Sequence, residues 1–261
     1  MKNHKLTSLL FIAALLFINL TSCKKEEIIE TVQAVAGKGS LKVELEHVWG
    51  MSNSTLFALD TFLVHPKTSD SLKFTKFKYY VSNVKLKMAD GSYWIHPESY
   101  FLIDLSNPGT LDLNFTDIPV GIYTDLEFTL GVDSLRNVSG AQSGALAISN
   151  EMFWLWNSGY VMLKTEGTSP QSSDGTFVFH LGGFSGVNNI VTEQSLSLLT
   201  TPLTVTANNI NMIHMQVNTS KLWHSSPSVS EINKIHMPGE NAKNMALSFY
   251  NNNAFMIHHV E

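Results

Sequence analysis

Between Leu41 and His47 apolar and charged residues alternate without interruption. Leu41, Val43 and Leu45 take one phase, Lys42, Glu44 and Glu46 the other, and His47 continues the apolar phase. Successive side chains of a strand point to opposite faces, so this stretch predicts a half-buried β-strand with His47 turned inward. The pattern recurs along the chain. Residues 73–88 are rich in aromatic and β-branched types, and at their end Val84, Leu86 and Met88 alternate with Lys85 and Lys87. Residues 100–105, 126–132, 177–181, 203–207 and 210–217 read as further short strands. Turn signals such as Asp90-Gly91, Pro119-Val120-Gly121 and Gly182-Gly183 lie between them. Two segments have helical character. One is a turn capped by Asn150 that would hold Met152, Phe153, Leu155 and Trp156. The other places Ala242, Met245, Ala246 and Phe249 on one stripe. The expected fold is all-β: a β-sandwich of Greek-key type with one or two short helices.

The amino terminus has a different character. Lys2 and Lys5 precede an uncharged apolar run at residues 9–18, too short to span a bilayer, and Leu20-Thr21-Ser22-Cys23 closes it. An aliphatic residue and two small residues before a cysteine form a lipobox. Residues 1–22 are therefore expected to be a lipoprotein signal peptide, with Cys23 the acylated first residue of the mature chain. Residues 23–40 would form a flexible tether, and 41–261 a single domain. Lys24-Lys25-Glu26-Glu27 resembles the surface-export signal that follows the acylated cysteine in Bacteroidetes lipoproteins. The expected location is the outer membrane, on its periplasmic face or at the cell surface, held by the lipid anchor.

Composition excludes several functions. Without Lys2 and Lys5, fifteen basic residues face 22 acidic ones, and Arg136 is the sole arginine. A nucleic-acid partner would require a basic face with guanidinium forks, so none is expected. Cys23 is the only cysteine, which rules out an intramolecular disulfide and leaves Met and His for any soft-metal site. Gly183-Phe184-Ser185-Gly186 brings its last glycine one place too early for a nucleophile elbow, and no His-Glu-X-X-His occurs. No enzymatic activity is expected.

Histidine and methionine are the informative residues, with nine of each after position 22. Several lie close together near the carboxyl end: His214-Met215, His236-Met237 and Met256-Ile257-His258-His259. Imidazole suits copper in either oxidation state, and a thioether selects Cu(I). His258 and His259 are consecutive, so a regular strand would bring only one of them to a given site.

Four segments resemble markers of MbnP-like proteins, a family named for a periplasmic copper-binding protein associated with methanobactin. They are Phe77-Lys78-Tyr79-Tyr80-Val81-Ser82-Asn83-Val84, Gly131-Val132-Asp133-Ser134, Met152-Phe153-Trp154-Leu155-Trp156-Asn157-Ser158-Gly159-Tyr160 and Phe179-His180-Leu181-Gly182-Gly183. The closing residues 238–260 resemble the tail of Bacteroidetes members. The resemblance implies copper handling: a lipid-anchored protein outside the cytoplasm that captures or stores copper, expected as Cu(I). It implies histidine ligands, with a Met or an oxidised tryptophan as further candidates. Carried over by position, His47 and His180 are the first ligands, with His214 and one of His258 and His259 beside them; His236 is a weaker candidate. The resemblance also implies a possible partner, a di-haem oxidase of the MauG type that converts a tryptophan to kynurenine. Trp49, two residues from His47 on the same strand face, is the tryptophan it would modify.

A second reading comes from another class, a surface adhesin or glycan-binding module. It would use exposed Tyr93, Trp94 and Tyr100 as an aromatic platform, or else Trp223.

Overall fold

A computed structural model describes residues 37–140, 142–156 and 159–261. The signal segment 1–22, Cys23 and most of the 23–40 tether lie outside these residues. In chain order the strands are β1 (Lys38–Trp49), β2 (Thr55–Leu56), β3 (Phe62–Val64), β4 (Ser71–Met88), β5 (Tyr93–Ile95) and β6 (Tyr100–Asp104). Then come β7 (Asp112–Pro119), β8 (Gly121–Leu130), β9 (Phe153–Trp154), β10 (Gly159–Thr168) and β11 (Thr176–Gly182). The last five are β12 (Thr192–Ser197), β13 (Leu203–Val205), β14 (Ile210–Asn218), β15 (Lys234–Ile235) and β16 (Phe255–Val260). Two α-helices accompany them among the described residues, α1 (Ser134–Val138) and α2 (Glu240–Asn251).

The strands form two sheets. The smaller has the order β16-β14-β1-β2, with β7 also alongside β1. The larger runs β12-β8-β4-β10-β11-β15, with β3, β5 and β6 on β4, β9 on β10 and β13 on β8. This is the all-β sandwich that the alternation implied. Neighbouring strands are far apart in sequence: β1 pairs in parallel with β14 and antiparallel with β7.

The alternation in β1 accounts for the layering. Leu41, Val43, Leu45 and Trp49 are buried between the sheets, while Lys42, Glu44 and Glu46 face outward. The strand starts at Lys38, earlier than the apolar pattern suggested, because Lys38 and Gly39 already pair with Pro119 and Ile118 of β7. Strand β4 is long and central. Its middle residues Tyr79, Tyr80, Val81 and Ser82 are buried on both faces. Tyr79 looks into the sandwich. On the other face Tyr80 packs edge-on against Tyr160, and both hydroxyls donate to backbone carbonyls, of Ala145 and Leu146 respectively. A covering layer of loop therefore lies over that side, which explains a strand with no polar face.

Helix α2 carries the stripe read from the sequence, with Ala242, Met245, Ala246 and Phe249 buried. The helix expected after Asn150 does not form. A 3-10 turn, Ile148–Asn150, ends where Glu151 adopts a left-handed backbone, and Phe153 and Trp154 then pair with Tyr160 and Gly159 as a short hairpin. Packing decides between the two outcomes: the Trp154 ring lies against the bare backbone of Gly182, a contact open only to glycine. The next residue, Gly183, has φ +126, and a methyl group there would overlap the Asn188 carbonyl oxygen. Gly183→Ala is therefore expected to lower stability by about 1–3 kcal/mol, measurable as a reduced urea midpoint with an unchanged slope.

Candidate metal centre

The outer face of the smaller sheet is built by register. Glu44 of β1 pairs with His214 of β14, and Glu46 with Gln216, so all four side chains share the face opposite the core. Strand β16 pairs antiparallel with β14. His214 stands opposite His259 and Met215 opposite Ile257, leaving His258 as an extra residue in the β16 strand. Such a bulge breaks the alternation of side chains. Consecutive histidines that a regular strand would send to opposite faces therefore meet, with the Nδ1 atoms of His258 and His259 2.9 Å apart.

The imidazoles of His214 and His259 stack, with ring centroids 4.0 Å apart and planes inclined by 16°. Glu261 brings a carboxylate to both rings, at 3.1 Å from His259 Nε2 and 3.6 Å from His214 Nε2. On its other side His214 Nδ1 lies 3.0 Å from a Glu44 oxygen. One ligand atom each from His214, His259 and Glu261 lie within 4.8 Å of one another. For a single ion with bonds of about 2 Å to take such a trio, the two imidazoles must turn out of their stack so that both lone pairs point to it. His214 Nε2 is the informative atom: it is shielded from solvent and has no hydrogen-bond partner. A buried nitrogen left unpaired is costly unless something accepts its lone pair or its proton.

The cluster borders a pocket of about 640 Å³. Its polar lining is Glu44, Glu46, Gln216 and four histidines, His47, His214, His258 and His259, and its apolar lining includes Leu45, Leu56, Phe57, Ala58, Leu59, Leu105, Leu111 and Met215. Three carboxylates, Glu44, Glu46 and Glu261, give the face a negative character. Lys42 partly offsets it, lying 4.0 Å from Glu44 and 3.6 Å from Asp112.

The other expected ligands lie outside this cluster, each in a different layer. His47 points into the sandwich, where its Nε2 is 3.0 Å from the Tyr79 hydroxyl and its Nδ1 is buried without a partner. Desolvation pushes its pKa down to about 3. His180 lies on the exterior of the larger sheet, with Nε2 2.8 Å from Glu166 and its ring 5.3 Å from that of His236. Burial lowers the His180 pKa, opposed by Glu166 and reinforced by the Lys164 ammonium. Lys76 and Lys164 also hold Glu166, at 3.5 and 3.8 Å, so this corner is already charge-paired. The expected convergence occurs only in part: His47 and His214 line the same pocket, but alternation along β1 turns the His47 ring to the core face while His214 projects outward, and His180 stands apart on the larger sheet.

Trp49 is buried on the core face of β1 as expected. Its indole N–H donates to the Val64 carbonyl at 3.0 Å, and its ring packs on Phe57, His65 and Phe74 rather than beside the cluster. Of the aromatic residues of the glycan reading, Tyr93 is exposed, whereas Trp223 and Tyr100 are engaged within the fold. Trp223 is fully buried among Phe74, Phe177 and Phe179, and the Tyr100 hydroxyl is tied to Asp133 with Arg136 over its ring. Glu44 and Glu261 were missed by sequence reading. The only signal for Glu44 was the outward phase of β1, which acquires meaning once the pairing with β14 is known; Glu261 had none.

The model of the MbnP family matches residues 38–245. The chain belongs to the MbnP family. The match includes His47, His180 and His214 and ends before β16, so His258, His259 and Glu261 lie beyond it. Among solved structures, MbnP from Methylosinus trichosporium is similar at 16% identity and a TM-score of 0.49, over 78% of this chain and 83% of that one. No curated protein matches. Among the described residues no helix is long and apolar enough to cross a membrane.

Proposed function

We propose that this MbnP-family protein binds copper outside the cytoplasm at the β14/β16 cluster, with His214, His259 and Glu261 as ligands. His258 and Glu44 stand beside them as a fourth donor and an orienting carboxylate. The observation that carries this reading is the shielded, unpartnered Nε2 of His214, set against a second imidazole and a carboxylate within reach of the same ion. Glu44 lies 3.0 Å from His214 Nδ1, near enough that a hydrogen bond formed on metal binding would fix the tautomer and leave Nε2 free for a metal.

A set of imidazole and carboxylate donors suits Cu(II), in place of the Cu(I) expected from thioethers. By register Met212 and Met256 share the same face, opposite Glu261 and Gln216, and flank the cluster without belonging to it. The proposed role is capture or storage rather than catalysis, by a protein anchored to the outer membrane through acylated Cys23. Modification of Trp49 by a di-haem oxidase would act away from this cluster and is not needed for it to bind an ion.

Equilibrium titration of the mature protein with Cu(II) against a competing chelator tests the reading. One ion per chain is expected. Its affinity should fall steadily as pH is lowered from about 7 to about 5, because protons compete for the imidazole nitrogens. Absence of stoichiometric copper, or an affinity indifferent to pH across that range, would contradict it.

A further inference from the structure

The pocket beside the cluster is larger than a bare ion requires, and its lining is part polar and part apolar. A volume of about 640 Å³ is that of a small-molecule site. Leu56, in the apolar lining, is largely exposed among the described residues. We infer that the site receives copper as a complex with a free α-amino acid bearing a bulky apolar side chain. This rests on the copper reading and says in what form the metal is held.

Coordination chemistry supports the inference. Two imidazoles and one carboxylate leave a Cu(II) ion, which prefers a tetragonal arrangement, short of in-plane donors. The amine and carboxylate of an amino acid supply two such donors by chelation, and His214 and His259 supply the other two. Glu261 would be a further donor beside them. Charge is matched as well. Cu(II) chelated by one amino-acid anion is a monocation, and it meets a face carrying Glu44, Glu46 and Glu261 with Lys42 as the nearby counter-charge. With the metal on the histidines, the amino-acid side chain would fall against Leu56, Phe57, Leu59, Leu105 and Leu111, where burying it removes apolar surface from water. Chelation releases the ammonium proton of the amino acid to water, and the only other bonds that form or break are those to the metal.

The test is equilibrium dialysis of the mature protein with Cu(II) and labelled phenylalanine or glycine. Visible absorption of the bound copper is followed in parallel. One phenylalanine retained per copper is expected, none without copper, and binding of the phenylalanine complex about tenfold tighter than that of the glycine complex. Leu56→Asp should cut that preference severalfold while bare Cu(II) still binds. Copper bound with no phenylalanine retained would overturn the inference and leave the copper site standing. So would equal affinity for the two complexes, or an unchanged preference in L56D. Failure to bind copper in any form would remove both.

Discussion

The double variant His214→Ala, His259→Ala is expected to lose copper affinity by about a hundredfold or more while keeping its thermal midpoint. The two rings are the only imidazoles stacked face to face in the described structure, and they share Glu261. Removing an outer partner of a metal ligand already costs tenfold to a hundredfold, and here two of the proposed ligands themselves are removed. The fold should tolerate the change. His214 and His259 project from the outer face and are part-exposed, and their backbone pairing does not depend on the rings. His180→Ala serves as the control, because that ring is engaged with Glu166 on the other sheet, and it should leave copper affinity within about twofold of the parent. Chelator competition measures all three proteins. A parent-like affinity in the double variant would remove the cluster from the account.

Acid sensitivity is the second large effect, and its source is His47. In the folded chain burial holds this imidazole neutral down to about pH 3, whereas in the unfolded chain it titrates near 6.5. Between these values the unfolded state takes up a proton that the folded state refuses. Stability is therefore full above the unfolded pKa, falls as pH drops below about 6.5, and stops falling near 3. At pH 4.5 the loss from this one group is on the order of 3 kcal/mol. Burial lowers the pKa of His65, His96 and His180 as well, which steepens the fall in the same sense. The contribution of His47 is isolated by a double substitution, His47→Leu with Tyr79→Phe, which removes the ring and the hydroxyl that would otherwise be stranded. At neutral pH this variant should lie within about 1 kcal/mol of the parent, since the unpartnered Nδ1 goes with the ring. Under acid it should hold more of its stability. Urea unfolding at several pH values gives the comparison, and parallel curves for the two proteins would contradict the assignment. Copper affinity should not change.

Much of the architecture was legible in the alternation. Leu41, Val43 and Leu45 against Lys42, Glu44 and Glu46 declared both the strand and its buried face, and Ala242, Met245, Ala246 and Phe249 declared α2. Residues 152–156 misled because their apolar spacing fits a helix, while the contact that decides their conformation, Trp154 on Gly182, lies 28 positions away in sequence. The candidate site was legible in part. Histidine identities pointed to His214, His258 and His259, but a period of two forbade the last pair from acting together. Only the bulge against β14, a property of the pairing of two strands, lifts that restriction. The inward phase of His47 was read correctly, and that same phase removes it from a cluster on the outer face.

Diffraction from copper-loaded crystals at the copper absorption edge locates the ion without reference to any variant. The account predicts one anomalous peak per chain, within bonding distance of His214 Nε2 and a His259 ring nitrogen, on the exterior of the smaller sheet. A peak between the sheets at His47, or beside His180 and His236, would contradict it.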